Sequence, residues 1–155
     1  MKKCSFIFLI FLLLVNFGCA VPVKMEGISM LPNIKEGDRL IVNTEYGELK
    51  RGDVIVHLYP RDQTRFYIKR IIGLPNETIE IKAGKVFIND SELNENYLDQ
   101  NYNQSQSNLS ARKIEAGSYF VMGDNRDNSS DSRLWGTVKK ELIQGTLLLN
   151  YGNNK

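Results

Sequence analysis

Beyond its first two dozen residues this chain has no cysteine and one histidine, His57. A cysteine-free body excludes a disulfide scaffold, and a single histidine excludes the usual Cys/His zinc sites. No feature calls for a metal or a cofactor. Acidic residues are absent from positions 1–23, where Lys2 and Lys3 account for the whole formal charge of +2. The remainder is therefore neutral, which argues against nucleic acid as a partner, because such a binder carries a basic face or a high domain pI. Amphipathic helical periodicity is also missing after residue 24. What is left, roughly 130 residues, is long enough for one domain to bury a core without staples.

The surplus of hydrophobic residues lies at the N-terminus, where positions 4–23 form an uncharged run behind the two lysines. As a helix, 20 residues span about 30 Å, the hydrocarbon thickness of a bilayer. Lysines before the run, with no comparable cluster after it, predict a cytoplasmic N-terminus and a body on the outer face of the membrane. The strongest stretch, residues 5–15, is short, and Asn16, Gly18 and Pro22 weaken the second half as a helix. Three fates stay open: a retained single-pass anchor, lipidation at Cys19, or cleavage after Ala20 at the small-x-small triplet Gly18-Cys19-Ala20. Each exports the body. The expected division is an anchor or signal segment over 1–23 and an extracytoplasmic domain over 24–155.

In the body, short apolar runs alternate with turn residues, which predicts strands over 39–43, 53–59, 65–72, 78–81, 85–88, 118–122 and 142–151. Ala83-Gly84 supplies a two-residue hairpin turn. The expected class is mainly β, with antiparallel sheets behind one N-terminal hydrophobic helix. Residues 94–110, rich in Asn, Gln and Ser, read as a mobile polar excursion on the surface.

Three segments carry candidate chemistry. In Gly27-Ile28-Ser29-Met30-Leu31-Pro32, glycine permits unusual backbone angles and proline fixes the geometry downstream, so Ser29 sits in a determined turn. In Tyr67-Ile68-Lys69-Arg70-Ile71-Ile72, a lysine interrupts an apolar strand on the face of Tyr67 and Ile71. It is either a snorkelling strand lysine or, if desolvated, an amine with lowered pKa that can take a proton. The run from Gly123 to Gly136 holds Arg126, Asp127, Ser129, Ser130, Asp131, Arg133 and Trp135. Those residues are enough for a hydrogen-bonded platform, although a solvated loop is the commoner use of such a composition.

These segments, in this order and together with Arg51-Gly52-Asp53-Val54 and Ile72-Gly73-Leu74-Pro75, resemble the bacterial type I signal peptidases. That family comprises membrane-bound Ser-Lys endopeptidases that remove leader peptides. The 123–136 run is the most specific part of the resemblance. By the match, Ser29 is the nucleophile and Lys69 the general base, which suits a hydrolase whose body has one histidine and no cysteine. Ser129 corresponds to the hydroxyl that orients the lysine, Asp131 and Arg133 to a structural ion pair, and Asp127 and Arg126 to braces of the loop. The Ser29 N–H is implied as one oxyanion donor. Met30 and Ile68 match pocket-lining positions, although both also suit a core. Backbone near Ile28 and Tyr67 is placed to pair with an extended peptide that has small residues at −1 and −3 from the cut.

The implied partners are preprotein signal peptides, the lipid of the cytoplasmic membrane and secretion machinery. Gly27 stands where many relatives carry a serine that assists the oxyanion hole, Asn33 where threonine is usual, and Asn76-Glu77 where Gly-Asp is usual. His57 reads as structural, and Trp135 either packs under the loop or meets the membrane interface. Two other functions stay in view: a dedicated Ser-Lys maturation protease for one secretion, conjugation or pilus substrate, and a non-enzymatic β lipoprotein.

Overall fold

A computed structural model describes residues 20–152. The expected helix over 1–19 lies outside the described residues, and no helix among the described ones is long and apolar enough to cross a membrane. Where the apolar run enters the described region it is not helical: Ala20–Lys24 forms strand β1, paired antiparallel with β2, Arg39–Asn43. The expectation of one helix to Val23 is corrected at these positions. Pro22 cannot donate within a helix, and β-branched Val21 and Val23 favour extended backbone, so an edge strand suits this segment.

Among the described residues, eleven strands build two antiparallel sheets. The larger has the order β1-β2-β11-β3-β4-β9-β10, with β3 at Val54–Leu58, β4 at Phe66–Gly73, β9 at Ser118–Met122, β10 at Val138–Lys139 and β11 at Ile143–Asn150. The smaller has the order β7-β6-β5-β8, from β5 at Thr78–Lys82, β6 at Lys85–Ile88, β7 at Ser91–Glu92 and β8 at Leu109–Lys113. The predicted hairpin is present: Ala83 and Gly84 both have positive φ, 47° and 80°, which two-residue turns of the primed kind require. Asn76 makes its turn at φ 70°.

Three apolar clusters hold the sheets together. One lies between the smaller sheet and β4/β9, built on Ile72, Ile79, Ile81, Ile114 and Phe120. A second, with Met25, Met30, Leu40, Val42, Val56 and Ile68, lies beneath the Ser29 turn. The third, with Leu49, Ile55, Ile71, Val121 and Val138, occupies the opposite face of the larger sheet. Strand β4 is buried on both faces from Ile68 onward, which is why its sequence runs apolar rather than alternating. The pairing of β4 with β9 begins at Arg70, so residues 66–69 keep one open edge. Strand β1, last in the sheet order, also keeps one open edge. A groove lies between them.

The 94–110 excursion is tied down in this structure. The backbone N–H groups of Gln104 and Ser105 donate to the Asp127 carboxylate, the Asp127 N–H donates to Tyr102 O, and Glu95 pairs with buried Arg126. Its last two residues begin β8.

Candidate active site

Gly27, at φ 80°, turns the chain out of β1 into the Ser29 loop. That angle suits glycine and would strain a serine, so no side-chain hydroxyl is offered there. The loop is closed by Leu31 N–H donating to Ile28 O (3.2 Å) and Ile34 N–H to Met30 O (2.9 Å), and the Leu31–Pro32 peptide is cis. Lys69 reaches this loop from β4. Its Nζ lies 2.8 Å from Ser29 Oγ and 2.9 Å from Ile68 O, and 5.1 Å from the centre of the Tyr67 ring.

The lysine is only 4% exposed. Burial pulls its pKa down from 10.5 to about 8, with the Asp131 and Asp124 carboxylates pulling the other way. About a tenth of a group with that pKa is the neutral amine at pH 7, against less than a thousandth for a free lysine.

The 123–136 run packs against the Ser29 loop. A Cβ at Gly123 would collide with Ser129 Oγ and with Ser29 O, so glycine is what permits the approach. Asp131, fully buried, accepts from the Gly123 and Arg133 N–H groups and forms a bidentate pair with the Arg133 guanidinium. It also caps the short helix α1, Ser132–Trp135. Arg133 Nη1 donates to Arg126 O, and Arg126 Nε to Gly123 O. Arg126 pairs with Glu95 rather than with its neighbour Asp127, whose carboxylate holds the excursion. Ser129 Oγ is buried close to the Ser29 main chain but has no hydrogen-bond partner among the described residues, and the Lys69 amine does not donate to it.

The groove measures about 920 Å³ and runs between Val21–Ser29 on one side and Arg65–Lys69 on the other, with Asn128 and Ser130 also in its lining. Ile28, Tyr67 and Ile68 line it. Met30 does not: it is fully buried in the cluster below, so its place is the core and not the groove wall. His57 is fully buried, its Nδ1 bonded to Leu58 O at 2.8 Å and its ring packed against Tyr67 and Trp135. Trp135 therefore packs inward, among His57, Tyr59 and Tyr67.

The profile of a family described as "Signal peptidase, peptidase S26" matches residues 1–151. The chain belongs to this family. It is similar to signal peptidase I P of Bacillus subtilis subsp. natto, 40% identical over 157 residues that cover 93% of this chain and 83% of the relative. It is also similar to signal peptidase I T of Bacillus subtilis strain 168, at 36% identity over 93% of this chain and 80% of the relative. The crystal structure of a signal peptidase I from Enterococcus faecalis V583 superposes with a TM-score of 0.56 at 31% identity, covering 67% of this chain and all of that one.

Several residues packed around Ser29 and Lys69 were given no role by the sequence. Asp124, fully buried, takes a bidentate pair from Arg70 and a 2.8 Å bond from Asn33 Nδ2. Asn33 donates also to Tyr97 O, and Arg70 lies over the Tyr97 ring at 4.3 Å. An amide at position 33 thus spans two acceptors, which a threonine hydroxyl with its single proton could not. A charged residue beside Lys69, forced by alternation onto the other face of a buried strand, was the available signal for Arg70. Asn125, 3% exposed, holds the Ser29 loop directly.

Proposed function

We propose that this chain is a serine endopeptidase of the signal peptidase I type, using Ser29 as nucleophile and Lys69 as general base to cut signal peptides from exported preproteins. The observation that carries the reading is the 2.8 Å contact between a buried, pKa-lowered Lys69 amine and Ser29 Oγ at the end of an open-edged groove. The neutral amine takes the Ser29 proton as Oγ adds to the carbonyl carbon of residue −1. Negative charge develops on that carbonyl oxygen, toward which the Ser29 N–H points a donor. Collapse breaks the peptide bond, and the Lys69 ammonium gives its proton to the leaving amine. Water then adds to the acyl ester, with Lys69 again taking a proton, and Ser29 is released.

Asp131 with Arg133, Arg126 through Glu95 and Gly123 O, and Asp127 through the polar excursion brace the loop that carries Ser129, whose buried hydroxyl lies against the Ser29 loop without a bond to the lysine. Ile28, Tyr67 and Ile68 form the walls against which small −1 and −3 side chains fit, and the open edges of β1 and of residues 66–69 pair with the peptide backbone. The apolar segment before Ala20 holds the domain on the outer face of the cytoplasmic membrane, next to the lipid and within reach of secretion machinery. No cofactor takes part.

The test is complementation of a signal-peptidase depletion strain, with cleavage of a panel of preproteins by the purified chain. Growth, and cuts after small-x-small sites in unrelated preproteins, is the expected result. Cleavage of one substrate only would assign the chain instead to dedicated maturation, and no cleavage at all would remove the enzymatic reading.

A further inference from the structure

The Ser29 N–H donates to no group among the described residues, so it is free to meet an oxyanion. Its direction is not its own property. A peptide unit is planar, so the orientation of the N–H is fixed by whatever holds the carbonyl on the other side of the same bond, which is Ile28 O. That oxygen accepts from Asn125 Nδ2 at 3.1 Å and from Leu31 N–H at 3.2 Å. The next carbonyl, Ser29 O, accepts from the main-chain N–H of Asn125 at 3.0 Å. One residue therefore grips the two successive peptide units that flank the nucleophile, one through its side chain and one through its backbone.

The Asn125 amide cannot turn around in its site. Its Oδ1 accepts from Asn128 N–H at 3.0 Å while its Nδ2 faces a carbonyl, so each end meets the only kind of partner it can bond. Buried at 3% exposure, it is held by the same loop that carries Ser129 and Asp131. A bond donated into Ile28 O also polarises the far end of that peptide unit, strengthening the Ser29 N–H as a donor.

We propose that Asn125 is a positioning residue for the oxyanion hole: through Ile28 O it aims and polarises the Ser29 N–H. This rests on the Ser29–Lys69 reading. It also accounts for a site that lacks a side-chain donor at Gly27, because the single backbone donor is stiffened from behind.

The test replaces Asn125 by leucine, of similar shape and without a donor. A second variant, Asn125→Asp, keeps an acceptor for the Asn128 N–H while removing the donor to Ile28 O. Steady-state cleavage of a preprotein is measured from pH 6 to 10, and inhibition by a peptide aldehyde, whose adduct with Ser29 carries the oxyanion, is measured beside it. Loss of an aimed donor predicts a fall in kcat of roughly 10-fold or more with KM within about 2-fold. Aldehyde binding should weaken in step with kcat, and in Asn125→Leu the rise of activity with pH centred near 8, where Lys69 loses its proton, should stay in place.

If Asn125→Leu does not fold, Asn125→Asp decides by the same split, read on the alkaline plateau where Lys69 is neutral. Unchanged kcat, a rise in KM alone, or a fall in kcat with unaltered aldehyde binding would overturn the assignment. A wild-type chain that cleaves nothing would instead sink the proposed function, so the two failures are distinct.

Discussion

Burying Lys69 gives the amine its low proton affinity and costs the fold stability, and the two consequences are measured separately. The folded chain gives up the lysine proton near pH 8 and the unfolded chain near 10.5, so the unfolded state holds the extra proton between those values. Stability contributed by this site therefore rises with pH across that window and is lowest below it. Lys69→Met, inactive in cleavage, should melt at a higher temperature than wild type at pH 7, on the order of 5 °C higher, with the advantage gone by pH 11. His57 works the same way lower down. Burial holds its pKa near 4, against 6.5 for the ordinary group, so the unfolded chain takes up the proton first as pH falls through that interval. His57→Phe should raise the melting temperature at pH 5 and leave it nearly unchanged at pH 8. Ser29 and Lys69 stood out in the sequence as a serine between glycine and proline and a lysine inside an apolar strand, but the roles proposed for them come from the resemblance of the surrounding motifs to signal peptidases, since each feature alone also suits a turn serine or a snorkelling lysine. Asn125 and the Arg70–Asp124 pair were not, since their meaning lies in backbone groups and partners far away in the chain.

The strands explain where a peptide can bind. Residues 66–69 of β4 have β3 on one side and nothing paired on the other until Arg70 meets Met122. A preprotein segment pairing there donates and accepts main-chain bonds, each worth about 1 kcal/mol net. A substrate peptide N-methylated at the −2 amide should show a KM raised about 5- to 10-fold per lost bond with kcat much less affected, measured against the unmethylated peptide. Packing inside the larger sheet is as tight as its edges are open. A Cβ at Gly145, where β11 shifts register against β3, would run into Asn43 O and the Val42 side chain. Gly145→Ala should destabilise the domain by about 1–3 kcal/mol in denaturant melts. The sequence displayed the strands with apolar runs, and β2, β6 and β9 fall on their predicted limits. Strands β7, β8 and β10 escaped notice because they are short or mostly solvent-facing, with Leu109 the one buried residue of β8. Strand β1 was hidden by a run whose composition favours helix and whose Pro22 does not.

At the scale of the whole molecule, one loop joins everything that matters. The 123–136 run leaves β9, holds the Ser29 turn through Asn125, closes on itself through Asp131 and Arg133, and fastens the polar excursion through Arg126 and Asp127. From its composition the 94–110 excursion reads as a mobile polar segment on the surface. Glu95 instead pairs with buried Arg126, and the main-chain N–H groups of Gln104 and Ser105 donate to Asp127, contacts that composition cannot display. The apolar N-terminal segment enters the fold at Ala20, and the β1 it begins forms a wall of the groove. On the proposed reading, the groove that binds the peptide opens beside the membrane tether, in keeping with a substrate whose hydrophobic segment shares the same membrane. The account stands on the Ser29–Lys69 dyad, and cleavage of a purified preprotein by wild type, Ser29→Ala and Lys69→Ala tests it most directly. Wild type should release the mature protein, and each variant should fall by at least 10³-fold while remaining folded, as expected when a nucleophile or its base is removed. A folded Ser29→Ala or Lys69→Ala chain that cleaves at the wild-type rate would contradict it.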